Sequence, residues 1–310
     1  MLAQTLKTMN KTILVAGATG DLGSRVCKQL LQRAAGVRAL VRPESDELKV
    51  KELRELGVEV IIADYHDEAA LVSACKGVSC VVSVLAGLHE VIVGTQTQLL
   101  KAAVQAGVPR FIPSDFCTDF TQLKPGDNRN FDVRKEFQSV LEATDIRATS
   151  IFNGAFAHVL QYGIPLLDTR NKTIACYTDK SDWKIDFTTI DDTAAFTASA
   201  ALDEAAPRFL SIAGFRVSPV DLMELTRRVF NNGFELKDQG SLDQFAGYIN
   251  HVRREHPEGE LQLYPQWQQM QYLYSMFAAH HDVLDNDRYP GMIWKTAEDV
   301  LKQIKEQKSL

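Results

Sequence analysis

One stretch constrains this chain more than any other: Thr12 to Gly23, with ILVAGATGDLG at its centre. Ile13, Leu14 and Val15 form the apolar, branched run that a buried strand needs, and the run breaks at once into Gly17, Gly20 and Gly23. Leu22, Val26, Leu30 and Ala34 then recur every fourth residue and predict the apolar face of an α-helix. Strand, glycine turn and helix in that order suit a diphosphate. The first glycine permits a tight turn, the second lets backbone approach phosphate oxygens, and the third lets helix pack on strand. The helix N-terminus adds N–H donors and a partial positive charge. An ordinary strand-to-helix turn also uses glycines; the amphipathic helix that follows is what points to a dinucleotide.

The whole chain narrows the setting. Its 310 residues suffice for a nucleotide domain plus a second region, and 45% apolar with 24% charged residues is the composition of a soluble globular protein. A net charge of -6 argues against nucleic acid or an anionic membrane surface as the main partner. MLAQTLKTMN has no apolar core for a signal peptide, and nowhere do about eighteen apolar residues run together, so a cytoplasmic location is expected. Cys27, Cys75, Cys80, Cys117 and Cys176 are odd in number and contain no C-x-x-C pair, which suits reduced, mostly buried thiols. The histidines fall in no metal-binding spacing and read as surface or packing residues, so no metal is expected. A monomer or homodimer is the expected state.

Along the chain, Val37–Val41 reads as a second strand with Arg42 at its end, where NAD-binding versions of such a fold place an acidic residue. A guanidinium there fits a 2′-phosphate and favours NADP over NAD, the plain alternative being a surface arginine. Lys49 or Lys51 is placed to add a second charge. A helix over 47–56 closed by Gly57, a strand over 58–62, a helix capped by Asp67 and a strand over 78–82 complete a βαβαβαβ alternation, which demands parallel strands with right-handed crossovers. Ser83 to Gly87, including Leu85, follows the fourth strand at its carboxyl end, where ligands of such sheets bind. A helix over 90–106 and a short strand at Phe111 and Ile112 lead to Pro113, Ser114, Asp115 and Phe116, then a polar loop.

On the helix predicted over 129–143, Val133, Phe137, Val140 and Leu141 share the face packed on the sheet, while Phe131 and Lys135 point away from it. An exposed Phe beside a Lys calls for a cover, which cofactor, substrate or the C-terminal region is able to supply; a solvated lysine is the plainer reading. A sixth strand is expected over 146–152, followed by Asn153, Gly154 and Phe156. Further strands and helices suggest that both halves share one sheet, and the aromatic stretch over 261–281 reads as core, subunit contact or substrate pocket. The expectation is therefore an α/β protein, a Rossmann-type doubly wound parallel sheet over 1–155 and a smaller C-terminal substrate-binding lobe over 156–310, partly interleaved with the sheet.

GATGDLG, LVR ending at Arg42, RFIPSDF, Lys135 and FNGAF in this order resemble the NmrA-like branch of the atypical short-chain dehydrogenase/reductases, and in pattern its isoflavone reductase-like group. RYPGMIWKTAEDVLKQ is similar to that group's ending, so the likeness spans nearly the whole chain. The resemblance implies NADP(H), with Gly17, Thr19, Gly20, Asp21, Leu22 and Gly23 on the diphosphate and Arg42 on the 2′-phosphate. It gives the ribose and nicotinamide ends to Ser83, Leu85, Gly87, Pro113, Ser114, Phe152, Asn153 and Phe156. Lys135 falls on the group's catalytic lysine, which also adjoins the cofactor. The Tyr-x-x-x-Lys pair of ordinary short-chain dehydrogenases reads here Phe131-Asp-Val-Arg-Lys135. Without the acid tyrosine a plain ketone lacks its proton donor, so a hydride acceptor that leaves charge on a distant oxygen is implied: an aromatic, phenolic or conjugated small molecule such as an enone or quinone methide. Phe116, Phe131, His158 and Tyr272 are candidate substrate contacts, against the plainer reading of packing residues. The group's Pro-Ser-Glu-Phe-Gly appears here as Pro-Ser-Asp115-Phe116-Cys117, a departure beside the nicotinamide. NmrA-like regulators that bind NADP with little turnover use the same glycines and stand as the alternative; a sugar-nucleotide epimerase would need the missing tyrosine.

Overall fold

Ile13 to Ala16 are completely buried because their strand, β1 (Thr12–Ala16), has a parallel neighbour on each side, β2 (Gly36–Val41) and, later in the chain, Cys80–Ser83. A computed structural model describes residues 11–162 and 166–308; the first ten residues, expected to carry no signal peptide, lie outside them. Adding β3 (Glu59–Ile62), β4 (Cys80–Ser83), β5 (Arg110–Ile112) and β6 (Arg147–Ala148) gives a six-stranded parallel sheet in the order β3-β2-β1-β4-β5-β6. Chain direction across the sheet reverses between β1 and β4, which opens a crevice at their carboxyl ends.

The helices follow their sequence signals. α1 (Asp21–Gln32) starts at the glycine turn, and α2 (Glu47–Glu55) and α3 (Glu68–Cys75) start where Asp46 and Asp67 accept from backbone N–H groups of the first turn. α1 stops short of its expected face: Ala34 is exposed with φ 57°, because the backbone closes on Leu30 and Leu31 to turn into β2. The helix expected over 90–106 opens as a π turn, Glu90–Thr95, before α4 (Gln96–Gln105). Buried Gln96 places its amide nitrogen 3.0 Å from Ile92 O, an insertion into the helical ladder of the kind that accompanies such turns.

α5 (Arg129–Glu142) buries Phe137 and Leu141 against the core that also holds Leu14, Leu40, Leu99 and Phe111. The sixth strand is not continuous as expected. Thr149 N still bonds Phe111 O, but Ser150 N turns to Arg208 O, and β7 (Ser150–Phe152) pairs instead with a short strand at Phe209–Ser211.

Packing divides the chain into two units: residues up to Phe116 with Val133–Ile151 and Thr193–Leu210, and Cys117–Asp132 with Phe152–Asp192 and the chain from Ser211 onward. The chain thus crosses between the units repeatedly, at residues 116–117, 132–133, 151–152, 192–193 and 210–211. The first unit keeps most of the helix Ile190–Leu202, whose Ala195 O accepts from Arg33 and whose Ala200 O accepts from buried Arg110. Among the described residues, strands beyond β7 form their own short sheets and do not extend the six-stranded one. The second unit has its own core, in which Leu167, Ile174, Ile185, Phe187, Leu222 and Phe277 meet. No helix of the described residues is long and apolar enough to cross a membrane.

Candidate active site

The glycine turn of the first unit has no room for side chains. Gly17 has φ +85°, and a Cβ there would lie 2.7 Å from Val84 O; at Gly23 it would lie 2.2 Å from Gly17 O. Gly20 N donates to Gly17 O at 3.0 Å, and α1 begins at Gly20 with no side-chain cap on its first N–H groups. Thr19, Asp21 and Leu22 are at least partly exposed along the turn, and Asp21 binds Arg25 at 2.7 Å. A cleft of about 480 Å³ runs from Thr19 and Gly20 to Lys28 and Lys49, so of Lys49 and Lys51 it is Lys49 that lines it. Lys51 instead faces Glu55 at 3.7 Å.

Arg42 follows β2 with its side chain 62% exposed, 3.2 Å from Glu44. Such an exposed pair is weak, and its guanidinium can exchange a carboxylate for a phosphate. At the end of β4, Ser83 is fully buried and its hydroxyl has no hydrogen-bond partner among the described residues. Leu85 O accepts from Ser114 Oγ at 2.6 Å, and a Cβ on Gly87 would lie 2.5 Å from Val91. Pro113, Ser114 and Phe116 are buried. Ser114 N donates to Gln96 Oε1 at 2.9 Å, and Ser114 O accepts from Arg134 at 3.0 Å. Lys135, half-buried, is the next residue of α5. Glycines at the tight points of the turn, uncapped helical N–H groups, a cation past β2 and an orphaned buried hydroxyl fit an NADP-type dinucleotide.

In the second unit, Phe131, whose outward helix position calls for a cover, is buried. It is 2% exposed, with Phe120 and Phe152 in its cluster and Tyr272 edge-on at 5.4 Å, so the C-terminal region covers it. Tyr272 also accepts from Asn130 at 3.0 Å. Asn153 is fully buried; its backbone bonds Cys117 O and Thr188 Oγ1, but its side-chain amide has no partner among the described residues. Gly154 beside it has φ +63°, and a Cβ there would lie 2.3 Å from Asp186 O. The rings of Phe156 and His158, both partly exposed, lie 5.8 Å apart.

One cluster here has no signal in the sequence. On β8 (Ile185–Thr188), Asp186 accepts from Arg216 Nε at 2.6 Å and from His281 N at 2.9 Å, and His281 Nδ1 lies 2.9 Å from the same carboxylate. The His281 ring stacks on Phe152 at 6.3 Å. Burial pushes the Asp186 carboxyl up, but the bonds and charges of His281 and Arg216 outweigh it and hold the group below the usual carboxylate range. Adjacent His280 and His281 look alike in sequence, and only tertiary packing separates them. No group of residues able to hold a metal ion occurs among the described residues.

Comparison with known proteins agrees with this geometry. The model of the NmrA-like family matches residues 9–250. Pinoresinol reductase 1 of Arabidopsis thaliana is 27% identical, covering 98% of this chain and all (100%) of that protein. A bifunctional pinoresinol-lariciresinol reductase of Linum usitatissimum is 30% identical over 62% of this chain and 65% of its own length. Among solved structures, AtPrR2 with NADP+ and (+)pinoresinol has a TM-score of 0.76 at 24% identity, covering 95% of this chain and 99% of that one. Isoflavone reductase has a TM-score of 0.79 at 21% identity with the same coverage, 95% and 99%. At such identities the structural likeness speaks for the fold.

Proposed function

Because this chain belongs to the NmrA-like family, we propose that it is an NADPH-dependent reductase that passes a hydride to an aromatic, phenolic or conjugated small molecule. The observation that carries this reading is the Cβ-free turn of Gly17 and Gly23 beneath an uncapped helix, with Arg42 past the neighbouring strand. The full-length relatives, reductases of pinoresinol, support the substrate class. Bound NADPH supplies the hydride. Lys135 is the general acid/base: its ammonium stabilises oxyanion charge that develops on the acceptor, and its neutral amine takes a phenolic proton. Phe131, where ordinary short-chain enzymes carry the acid tyrosine, has no proton to give, which excludes plain ketones as good substrates. Ser83, Leu85, Gly87, Pro113 and Ser114 serve the ribose and nicotinamide, and in the second unit the unpartnered Asn153 amide marks a ligand contact beside Phe152 and Phe156. Five free, buried cysteines support a cytoplasmic setting.

NADPH oxidation measured with phenolic, enone and quinone acceptors tests the reaction. Lys135→Ala is expected to lower kcat by about 10²-fold or more, with a much smaller change in NADPH affinity. Equal rates for the two proteins remove Lys135 from the chemistry. Cofactor binding without turnover on any acceptor would make the chain an NADP-binding regulator instead.

A further inference from the structure

Next to Ser114 sits a buried carboxylate that the reaction as described does not use. Asp115 is 1% exposed. Its Oδ2 accepts from Ser150 Oγ at 2.7 Å, and Ser150 Oγ in turn accepts from Arg208 at 2.7 Å. Among the charges facing Asp115 are the guanidiniums of Arg134 and Arg208, with Glu142 behind Arg208 at 3.4 Å. Asp115 N closes a tight turn on Pro113 O at 2.8 Å. Ser114, at the centre of that turn, is tied to Leu85, Gln96 and Arg134. All of these groups lie in the first unit, and Arg134 is the chain neighbour of Lys135.

We propose that Asp115 is a positioning residue: its carboxylate, held by Ser150 and faced by Arg134 and Arg208, fixes the turn that presents Ser114, so that NADPH affinity follows its protonation state. Ionised, Asp115 draws Arg134 and the Ser114 carbonyl into one arrangement; protonated, it keeps the Ser150 bond but releases the charge that orders Arg134. Burial pushes this carboxyl up to about 6, against the Ser150 bond and the two guanidiniums, which puts its titration near physiological pH. The proposal rests on Ser114 meeting the cofactor, as in the reading above.

The test is NADPH affinity, followed by fluorescence of the bound dinucleotide, for the full-length wild type, Asp115→Asn and Ser150→Ala. Asparagine mimics the protonated acid at every pH. Its Kd relative to wild type should be about fivefold weaker near pH 8 and should converge on wild type near pH 5, a ratio from which the cofactor's own phosphate ionisation cancels. Removing the Ser150 hydroxyl takes away a bond that favours the charged form. Ser150→Ala, which adds and removes no charge, should therefore move the midpoint of the affinity change to higher pH, and it serves alone if Asp115→Asn does not fold. A ratio independent of pH, or an unshifted midpoint in Ser150→Ala, overturns the positioning role while leaving the cofactor reading intact. A wild type that binds no NADPH at any pH overturns both.

Discussion

Arg42 and Asp115 show how much can rest on one side chain. Arg42 is largely exposed and pairs with the equally exposed Glu44, so removing it costs little stability. It should cost binding instead: Arg42→Ala is expected to weaken NADP by about 10- to 100-fold and leave NAD nearly unchanged, the worth of one or two charge-assisted bonds to a phosphate. Calorimetry with both dinucleotides checks it, and an equal loss for both would take Arg42 off the 2′-phosphate. Asp115 has the opposite balance. Its folded pKa of about 6 lies above the ordinary value, so the folded chain holds this proton more tightly than the unfolded one. The corresponding stability is complete below the ordinary aspartate range and disappears as pH rises through about 6, a swing of about 3 kcal/mol. Asp115→Asn should therefore raise Tm over wild type more at about pH 8 than at about pH 5. A protein that is more stable yet binds NADPH less well separates positioning from damage to the fold.

At the scale of elements, β8 carries the burden in the second unit. It bears Asp186 for Arg216 and His281, and Thr188 for Asn153 O. Because Asp186 is held below the usual carboxylate range, its contribution to stability is present above that range and is lost as pH falls through its folded value. His281→Ala keeps the backbone N–H bond to Asp186 but removes a buried ring that lies beside the carboxylate and stacks on Phe152, and is expected to cost about 2 kcal/mol or more, read by urea denaturation. A cost of only a few tenths would make the pair incidental. The same elements show what a sequence can and cannot reveal. β1 to β5 and their helices are legible because each is a local pattern: apolar runs, caps at Asp46 and Asp67, glycines at helix ends. The places of Gly17 in the turn, Arg42 past β2 and Lys135 on α5 follow from the same local spacing. The π turn before Gln96, the break at Thr149 and Ser150, and the covered Phe131 depend on partners far along the chain, and no local period encodes them. His281 is the clearest case, since Asp186, which gives it meaning, lies 95 residues away.

The molecule as a whole is threaded between its two units, with Thr193–Leu210 returning to the first. Lys11 reaches Leu202 O, Arg33 reaches Ala195 O, and buried Arg110 bonds the carbonyls of Ala200 and Ala201. A fragment ending at residue 155 strands the Arg110 guanidinium without these acceptors, a loss of several kcal/mol. It should show no cooperative thermal transition and no NADPH binding, in contrast to the full chain; a sharp transition in the fragment would mean that the returning helix is dispensable. The buried cysteines carry a last consequence. Burial pushes the Cys27 thiol up to about 12 and those of Cys75 and Cys80 to about 11. At neutral pH they are protonated and shielded, so alkylating reagents have almost nothing to attack until a segment breathes open. The chain therefore carries its own stopwatch: the pace of iodoacetamide capture at Cys27, inside the helix that starts at the glycine turn, reports each opening of that helix, and a dinucleotide seated there should slow the clock.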